Sequence, residues 1–416
     1  MSPENKKRRV GLWLVGAYGG VGTTTAVGVA SLAKGLVPPT GMATALPEFA
    51  QMDFIGMGDL VIGGHEIRRS SFADACLEMQ RQSAFPPESL ISGTRDLLDA
   101  WSANVRPGVV WASGDPIDRM ANWIAGESSI LSPRDLLGRL AADIREFGSN
   151  HRLDRTVVVN LGSTEPPVSQ NVMPSNDTEV AALLDDPNGR LPASSLYAIA
   201  AVEAGCGYVN FTPSFGLGCP ALQQLALRAE VPFCGADGKT GETLLKAVLA
   251  PMFARRNLRV LSWVGHNILG NRDGQVLQDP QNKRGKVTSK AHLLGAILGY
   301  EPQSLVSIEH VESLGDWKTA WDHIHFVGFL GTKMTLQFTW QGADSPLAAP
   351  LVIDLVRWTE CAMRRGESGC LRHLACYFKS PLHVEERDFF RQWKMLEDYV
   401  SASLTSASIH NPASRR

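Results

Sequence analysis

Residues 9–25 read RVGLWLVGAYGGVGTTT: an apolar run, a cluster of glycines, then small residues that suit a helix. A buried strand that turns through glycines into a helix is the opening of a βαβ unit. The strand is expected over Arg9–Val15 and the helix over Thr23–Lys34. Backbone amides in such a turn, with the helix N-terminus, form a cradle for a phosphate group. Glycine permits both the sharp turn and the close approach of an anion. Two nucleotide readings compete here. GGVGTTT is similar to the P-loop of an ATPase, but Thr23 stands where the phosphate-binding lysine belongs. A dinucleotide loop needs no lysine and is favoured, although Tyr18 occupies the place of the usual second glycine.

Further along, short apolar runs again close on polar or glycine-rich turns. They are Asp59–Ile62 before Gly63-Gly64, Thr156–Asn160 before Gly162-Ser163-Thr164, Gly207–Phe211, and Pro232–Cys234. Strands separated by helical stretches predict an α/β fold, with a parallel sheet covered on both faces. Ligands then sit beyond the carboxyl ends of the strands, where these turns fall. After Thr243 the pattern changes. A helix is expected over Leu244–Phe253, strands over Val260–Val264 and Thr335–Trp340, and a helix over Ala348–Arg365. Between the two strands, His266–Lys290 is polar and long enough to be functional or disordered. Ser401–Arg416 is low in complexity and is expected to fray.

Composition narrows the class. A chain of 416 residues exceeds one ordinary core, so two domains are expected. With 44% hydrophobic and 20% charged residues it reads as globular. A formal net charge of -2 gives no basic field for nucleic acid, and the run Lys6–Arg9 reads as a solvated tail. The seven cysteines lack CxxC spacing, which suits a reducing cytoplasm and supports neither a zinc site nor a disulfide framework. No stretch reads as a membrane span or a signal peptide. His323 and His325 could share one face of a strand, but no third ligand stands nearby, so no metal is assigned. No GxSxG elbow supports a hydrolase.

The stronger signal is a series of lysines set in turns beside Gly, Asn and Asp. They occur in GADGKTGET at 235–243, GKVTSK at 285–290, LGDWK at 314–318 and FKSPL at 378–382, with NILGNRDG at 267–274 among them. Together with ADSPLAAPL at 343–351, these segments resemble the myo-inositol-1-phosphate synthase family in order and spacing. That family carries G-x-D-x-K-S-G-Q-T, N-H-L-G-N-N-D-G, S-K-x-x-S-K, V-G-D-S-K, E-D-S-L-L-A-x-P-L and L-K-A-P-L. The likeness covers most of residues 10–385 and is most specific from Asp237 to Lys318.

The resemblance implies an NAD-dependent conversion of glucose 6-phosphate to an inositol phosphate. The sugar is oxidised at C5, enolised, closed on its own aldehyde and reduced again. It implies a Rossmann-type NAD-binding domain, 1–243 completed by 345–416, with an inserted α+β catalytic and tetramerisation domain, 244–344. A cytoplasmic homotetramer follows from the same likeness. Lys286 and Lys379 match lysines near the reacting carbons; Lys290 and Lys318 match those at the phosphate and the C1 oxygen. Asp237 and Asp273 match acids that hold lysines and the nicotinamide end. Asn267, Asn271, Lys239 and Thr240 match substrate-binding positions. Gly16, Gly19, Gly20, Val21, Gly22, Glu66, Ser163, Thr164, Asp237 and Asp354 match the cofactor set. Lysine suits the task, because a phosphate dianion and a transient enolate both need a cation and its proton can be moved.

Several pocket turns depart from the family. Ser163 replaces an amide, Asn210–Gly216 has lost two polar amides, Glu242 stands for a neutral glutamine, and Arg272 for an asparagine. Lost hydrogen-bond partners alter discrimination, so an NAD enzyme for another phosphorylated sugar is the first alternative. A non-catalytic or ATP-binding P-loop-like protein is the second, and five retained charged motifs argue against it.

Overall fold

Val10–Val15 forms the first strand, β1, buried at every position, as an apolar run inside a parallel sheet must be. The computed structural model describes residues 8–125, 131–169, 172–276, 278 and 293–410. Five more strands follow: β2 (Leu60–Glu66), β3 (Val105–Pro107), β4 (Arg155–Asn160), β5 (Gly207–Asn210) and β6 (Pro232–Gly235). A second group comprises β7 (Arg259–Leu269), β8 (Gln303–His310), β9 (Trp317–Val327) and β10 (Lys333–Ala343), and β11 (Gly369–Cys370) comes last. The first sheet has the order β11-β6-β5-β4-β1-β2-β3 and is parallel throughout. Without β11 this is the strand order of a dinucleotide-binding fold.

The intervening helices are α1 (Gly20–Ala33), α2 (Phe72–Ser83), α3 (Glu88–Ser102), α4 (Asp115–Met120), α5 (Pro133–His151), α6 (Asp177–Asp185), α7 (Ala193–Glu203), α8 (Pro220–Arg228), α9 (Gly241–Arg255) and α10 (Arg272–Val276). Two longer ones, α11 (Asp344–Arg364) and α12 (Phe389–His410), follow the second group of strands. The side chains of β1 alternate between two cores, as the two-residue period of a strand requires. Leu12 and Leu14 pack with Val29 of α1, Leu98 of α3 and Val352 of α11. Trp13 and Val15 pack with Leu140 of α5 and Ile199 of α7. The start of α5 shows why the chain turns helical there: Ser132 and Asp135 form a reciprocal capping box, and Pro133 presets the first turn.

The second sheet, β10-β9-β7-β8, pairs β9 antiparallel to both β7 and β10, and β8 parallel to β7. One face packs Trp263 and Ile324 on Phe253 of α9. The other stays open, with Trp321 45% and Leu305 53% exposed, and His323 and His325 also lie on it.

Three features differ from the sequence reading. Strands β3 and β11 carry too little apolar pattern to be seen, with three and two residues. Strand β7 continues through Leu269 into the polar stretch, because Trp263, Gly265, Asn267 and Leu269 alternate inward. Residues 401–410 finish α12, with Val400 buried and Leu404 packed on the core, while 411–416 of the stretch expected to fray lie outside the described residues.

Candidate active site

The parallel strands end in a cleft of about 830 Å³. Its floor is the set of turns after β1, β2, β4, β5 and β6, and it straddles the point where strand order reverses between β1 and β4. The facing wall comes from Asn271, Arg272, Asp316, Asp344 and Ser345, and Lys379 returns from the C-terminal part.

The glycine loop is fixed from beneath. Gly16 has φ +83°, and the amides of Gly16 and Ala17 both donate to the His65 carbonyl, at 2.9 and 3.2 Å. Trp13 Nε1 donates to His65 Nδ1 at 2.9 Å, and His65 Nε2 meets Asp143 Oδ2 at 3.1 Å, which locks that ring. Burial pushes the His65 imidazole below its ordinary value. Helix α1 starts at Gly20 with no side-chain cap and no acid in its first turn. Its open amides and dipole therefore suit an anion. A Cβ on Gly20 would lie 2.5 Å from Ser345 Oγ, so glycine is needed where the walls approach. At the end of β2, Glu66 Oε2 accepts from Tyr18 N at 2.8 Å, and Oε1 accepts from the amides of Ile67 and Arg68 at 3.0 and 3.2 Å. This carboxylate ties the loop down while lining the cleft where an adenosine ribose binds in such folds.

The structure brings most of the expected cofactor set together: Gly16, Gly19, Gly20, Val21, Glu66, Ser163, Thr164 and Asp237 all line the cleft. Two lie elsewhere. Gly22 is buried in α1, where a Cβ would meet the Ala17 carbonyl at 2.5 Å, so it serves close packing. Asp354 is buried on α11, where it accepts from Ala43 N at 2.6 Å, Thr44 N at 3.1 Å and the Thr44 hydroxyl. It fastens the 43–45 turn, and burial pushes its carboxyl up to about 6.

Across the cleft the charges are side-chain charges. Lys379 Nζ donates to Asp237 Oδ1 at 2.8 Å, and Lys379 N donates to the Asp237 carbonyl at 2.7 Å. The 235–238 turn and the 378–382 segment run paired, which is how a residue from the C-terminal part arrives here. Asp237 Oδ2 is buried with no hydrogen-bond partner among the described residues, an acceptor left for something in the cleft. Lys318 Nζ stands 3.9 Å from Asp344 Oδ1, but only Asp344 of the two lines the cleft. Asn271 bonds Asp316, whose carboxyl also accepts from Ser345 N at 2.9 Å and Ser345 Oγ at 2.8 Å. Burial pushes Asp316 up to about 6. Thr240 lines the cleft at the start of α9.

Two expected substrate residues face away. Lys239 Nζ donates to Gln392 Oε1 of α12, and burial pulls its ammonium down to about 8. Asn267 is buried behind the wall and donates to Glu242 Oε2 at 2.7 Å, beside the buried Glu242–Lys246 pair at 2.5 Å. Lys286 and Lys290 lie outside the described residues, and Asp273 is described only as part of α10. Sequence reasoning did not single out Asp316, Asp344 and Ser345, although each sits inside a quoted motif. It also missed the pairing of Arg272 with Glu78 of α2, which spans the cleft mouth and has no local sequence signal. Among the described residues no group of three His, Cys, Asp or Glu is placed to hold a metal ion. Among them, too, no helix is long and apolar enough to cross a membrane.

Known proteins resemble this arrangement. An NAD-binding family model described as myo-inositol-1-phosphate synthase matches residues 10–401. Inositol-3-phosphate synthase 1 of Bacteroides thetaiotaomicron is 32% identical over 425 aligned positions, covering 94% of this chain and 94% of that protein. Inositol-3-phosphate synthase of Dictyostelium discoideum is 29% identical, covering 87% of this chain and 76% of its own. Among solved structures, inositol-3-phosphate synthase from Caenorhabditis elegans superimposes with a TM-score of 0.84 at 24% identity, over 95% of this chain and 86% of that one. A myo-inositol-1-phosphate synthase-related protein from Thermotoga maritima gives 0.77 at 24% identity, over 95% and 99%. The two structural likenesses speak for the fold.

Proposed function

The chain belongs to the myo-inositol-1-phosphate synthase family, its cofactor is NAD, and on that premise we propose that it converts D-glucose 6-phosphate to 1D-myo-inositol 3-phosphate. The observation that carries this reading is the Asp237–Lys379 pair, which stands in one cleft with the glycine loop. The residues present fit a dinucleotide. A glycine-rich cradle and an uncapped helix suit its phosphates, Glu66 suits its ribose, and Ser163, Thr164 and Asp237 line the same cleft. NAD, when bound, supplies hydride acceptance from the sugar and its return, so the overall change is an isomerisation.

The protein's part is orientation, charge and proton transfer. Lys379 passes a proton to the paired Asp237 carboxylate, takes the proton of the C5 hydroxyl in its place, and reverses both transfers at the end. Between those events C6, acidified by the neighbouring ketone, gives up a proton that ends on the C1 oxygen when the ring closes, and the enolate in between needs a cation beside it. Lys286 shares these two tasks with Lys379. Lys290 and Lys318 hold the phosphate and the C1 oxygen, so that C6 meets the aldehyde of the same molecule. Asp273, Asn271 and Thr240 complete the substrate side. Residues 244–344 form the inserted catalytic unit of this reading, and the open face of β10-β9-β7-β8 assembles with further copies into a homotetramer.

Incubation with NAD and glucose 6-phosphate, followed by NMR, tests the proposal. An inositol phosphate is expected. NAD retained without product favours the second reading, another phosphorylated sugar. That reading draws on Ser163 and Ser214, small hydroxyls lining the cleft where the resembling family has larger amides.

A further inference from the structure

Glu165 follows the Ser163–Thr164 turn, is 8% exposed, and lines the cleft. Its carboxylate is gripped by the start of α7: Ser194 N donates to Oε1 at 2.9 Å, and the Ser194 hydroxyl donates to Oε2. That hydroxyl also accepts from Gly216 N at 3.2 Å, and Ser195 Oγ donates to the Gly216 carbonyl at 2.8 Å. The amide of Glu165 donates to Ser214 Oγ at 3.1 Å, and Ser214 Oγ reaches the Ser163 carbonyl at 3.5 Å. Asn210 Nδ2 holds the Ser214 carbonyl at 2.7 Å. Three stretches far apart in sequence therefore meet at Glu165: its carboxyl holds the start of α7, and its backbone amide holds the turn after β5. Two of them are the turns that depart from the family. A buried node of this kind cannot lose a member cheaply, because the groups left behind have no water to turn to.

We propose that Glu165 is a positioning residue for the cofactor, its carboxyl tying the Ser163–Thr164 turn to the start of α7 through Ser194. The inference rests on the reading of the cleft as an NAD site. A second property of Glu165 makes it testable apart from folding. Burial pushes its carboxyl up to about 7, against the opposing bonds from Ser194. The titratable groups that face it are the phenols of Tyr197 on α7 and Tyr208 on β5, both raised far above their ordinary value by burial and neutral through this range. The carboxyl thus gains its negative charge across neutral pH, beside a ligand of net single negative charge, two phosphates against one cationic nicotinamide ring. Binding is tightest below that transition and weakens above it.

The test is the NAD dissociation constant of the full chain, read by tryptophan fluorescence near pH 6 and near pH 8. The wild type is expected to bind about threefold to tenfold more weakly at the higher pH. Glu165→Gln keeps an uncharged acceptor; it is expected to match the wild type near pH 6 and to show no pH dependence. Glu165→Ala is expected to bind about tenfold more weakly at both. If that variant does not fold, Ser194→Ala, which removes one donor and leaves the carboxyl, is expected to weaken binding in the same direction. A wild-type pH dependence in Glu165→Gln, or wild-type affinity in Glu165→Ala or Ser194→Ala, overturns the inference and leaves the NAD site standing. A wild-type protein that binds no NAD overturns both.

Discussion

One wall of the cleft is made of backbone, the glycine turn pinned to the His65 carbonyl and the open amides at the start of α1, whereas the rest is side-chain charge: Asp237 with Lys379 beside the turn after β6, and Asp344, paired with Lys318, on the facing wall. The backbone wall is local: it needs glycines in one short stretch and a strand beneath them. The charged wall is non-local, and residues 237, 318, 344 and 379 must be folded together before it exists. A dinucleotide common to many enzymes can be held by the first kind of wall. A reaction particular to one sugar needs the second.

Substitutions can break this division of labour. The largest effect is expected for Lys379→Ala, which should lower turnover by about 10² to 10⁴ while leaving NAD affinity within about twofold. Equal losses of turnover and NAD affinity would mean that the walls do not act separately. The same outcome is expected for Lys286→Ala. Next comes Lys246→Ala, behind the charged wall, which strips the buried Glu242 of its lysine. A loss of about 3 kcal/mol is expected in urea unfolding; an unchanged midpoint would show that Glu242 is held well enough without Lys246. Gly20→Ala sharpens the other side. Its new Cβ presses on Ser345 Oγ, so NAD affinity should fall about tenfold, or about 1.4 kcal/mol, with turnover at saturating NAD little changed.

The smallest effect is on pH and stability. Asp316 and Asp354 are raised to about 6 and Glu165 to about 7, all above their ordinary values of 3.8 and 4.5. A carboxyl raised in the folded state stabilises it fully below the ordinary value and loses that contribution as pH climbs through the folded value. Buried His65 and His373, held below their ordinary value of 6.5, work the other way up to that pH, so the melting temperature without ligand should fall between about pH 7 and about pH 8, where Glu165 dominates, and Glu165→Gln should flatten that fall. A melting temperature that rises across this window would contradict the sign.

The backbone wall was legible in sequence because its signals are local. An apolar run ending in glycines identifies β1 and α1 to within a few residues, and the same pattern locates β2, β4, β5 and β6. The charged wall was legible only through quoted motifs, and position in a motif does not fix where a side chain points. Lys239 sits two residues from Asp237, yet Asp237 faces the cleft and Lys239 faces Gln392. A turn reverses direction within one residue, so neighbours in a motif diverge. Asp354 shows the same limit on a helix, where a quarter turn decides between the cleft and the 43–45 turn. The Arg272–Glu78 pair, and the node on Glu165, join residues with no shared local pattern, and only the folded chain reveals them.

Helix α11 lies across α1 and β4, with Ile353 against Gly28 and Thr359 against Gly207. It covers a face of the sheet whose strands were all, except β11, laid down before residue 236. A ribosome that has just added residue 343 therefore carries a nearly complete sheet that still lacks its helix over β4, β5 and β6. The interval before α11 emerges is the one in which the nascent chain is open to wrong partners, and closing so long a loop is slow. Helix α11 is thus as much a guard on biosynthesis as a support for the finished cleft.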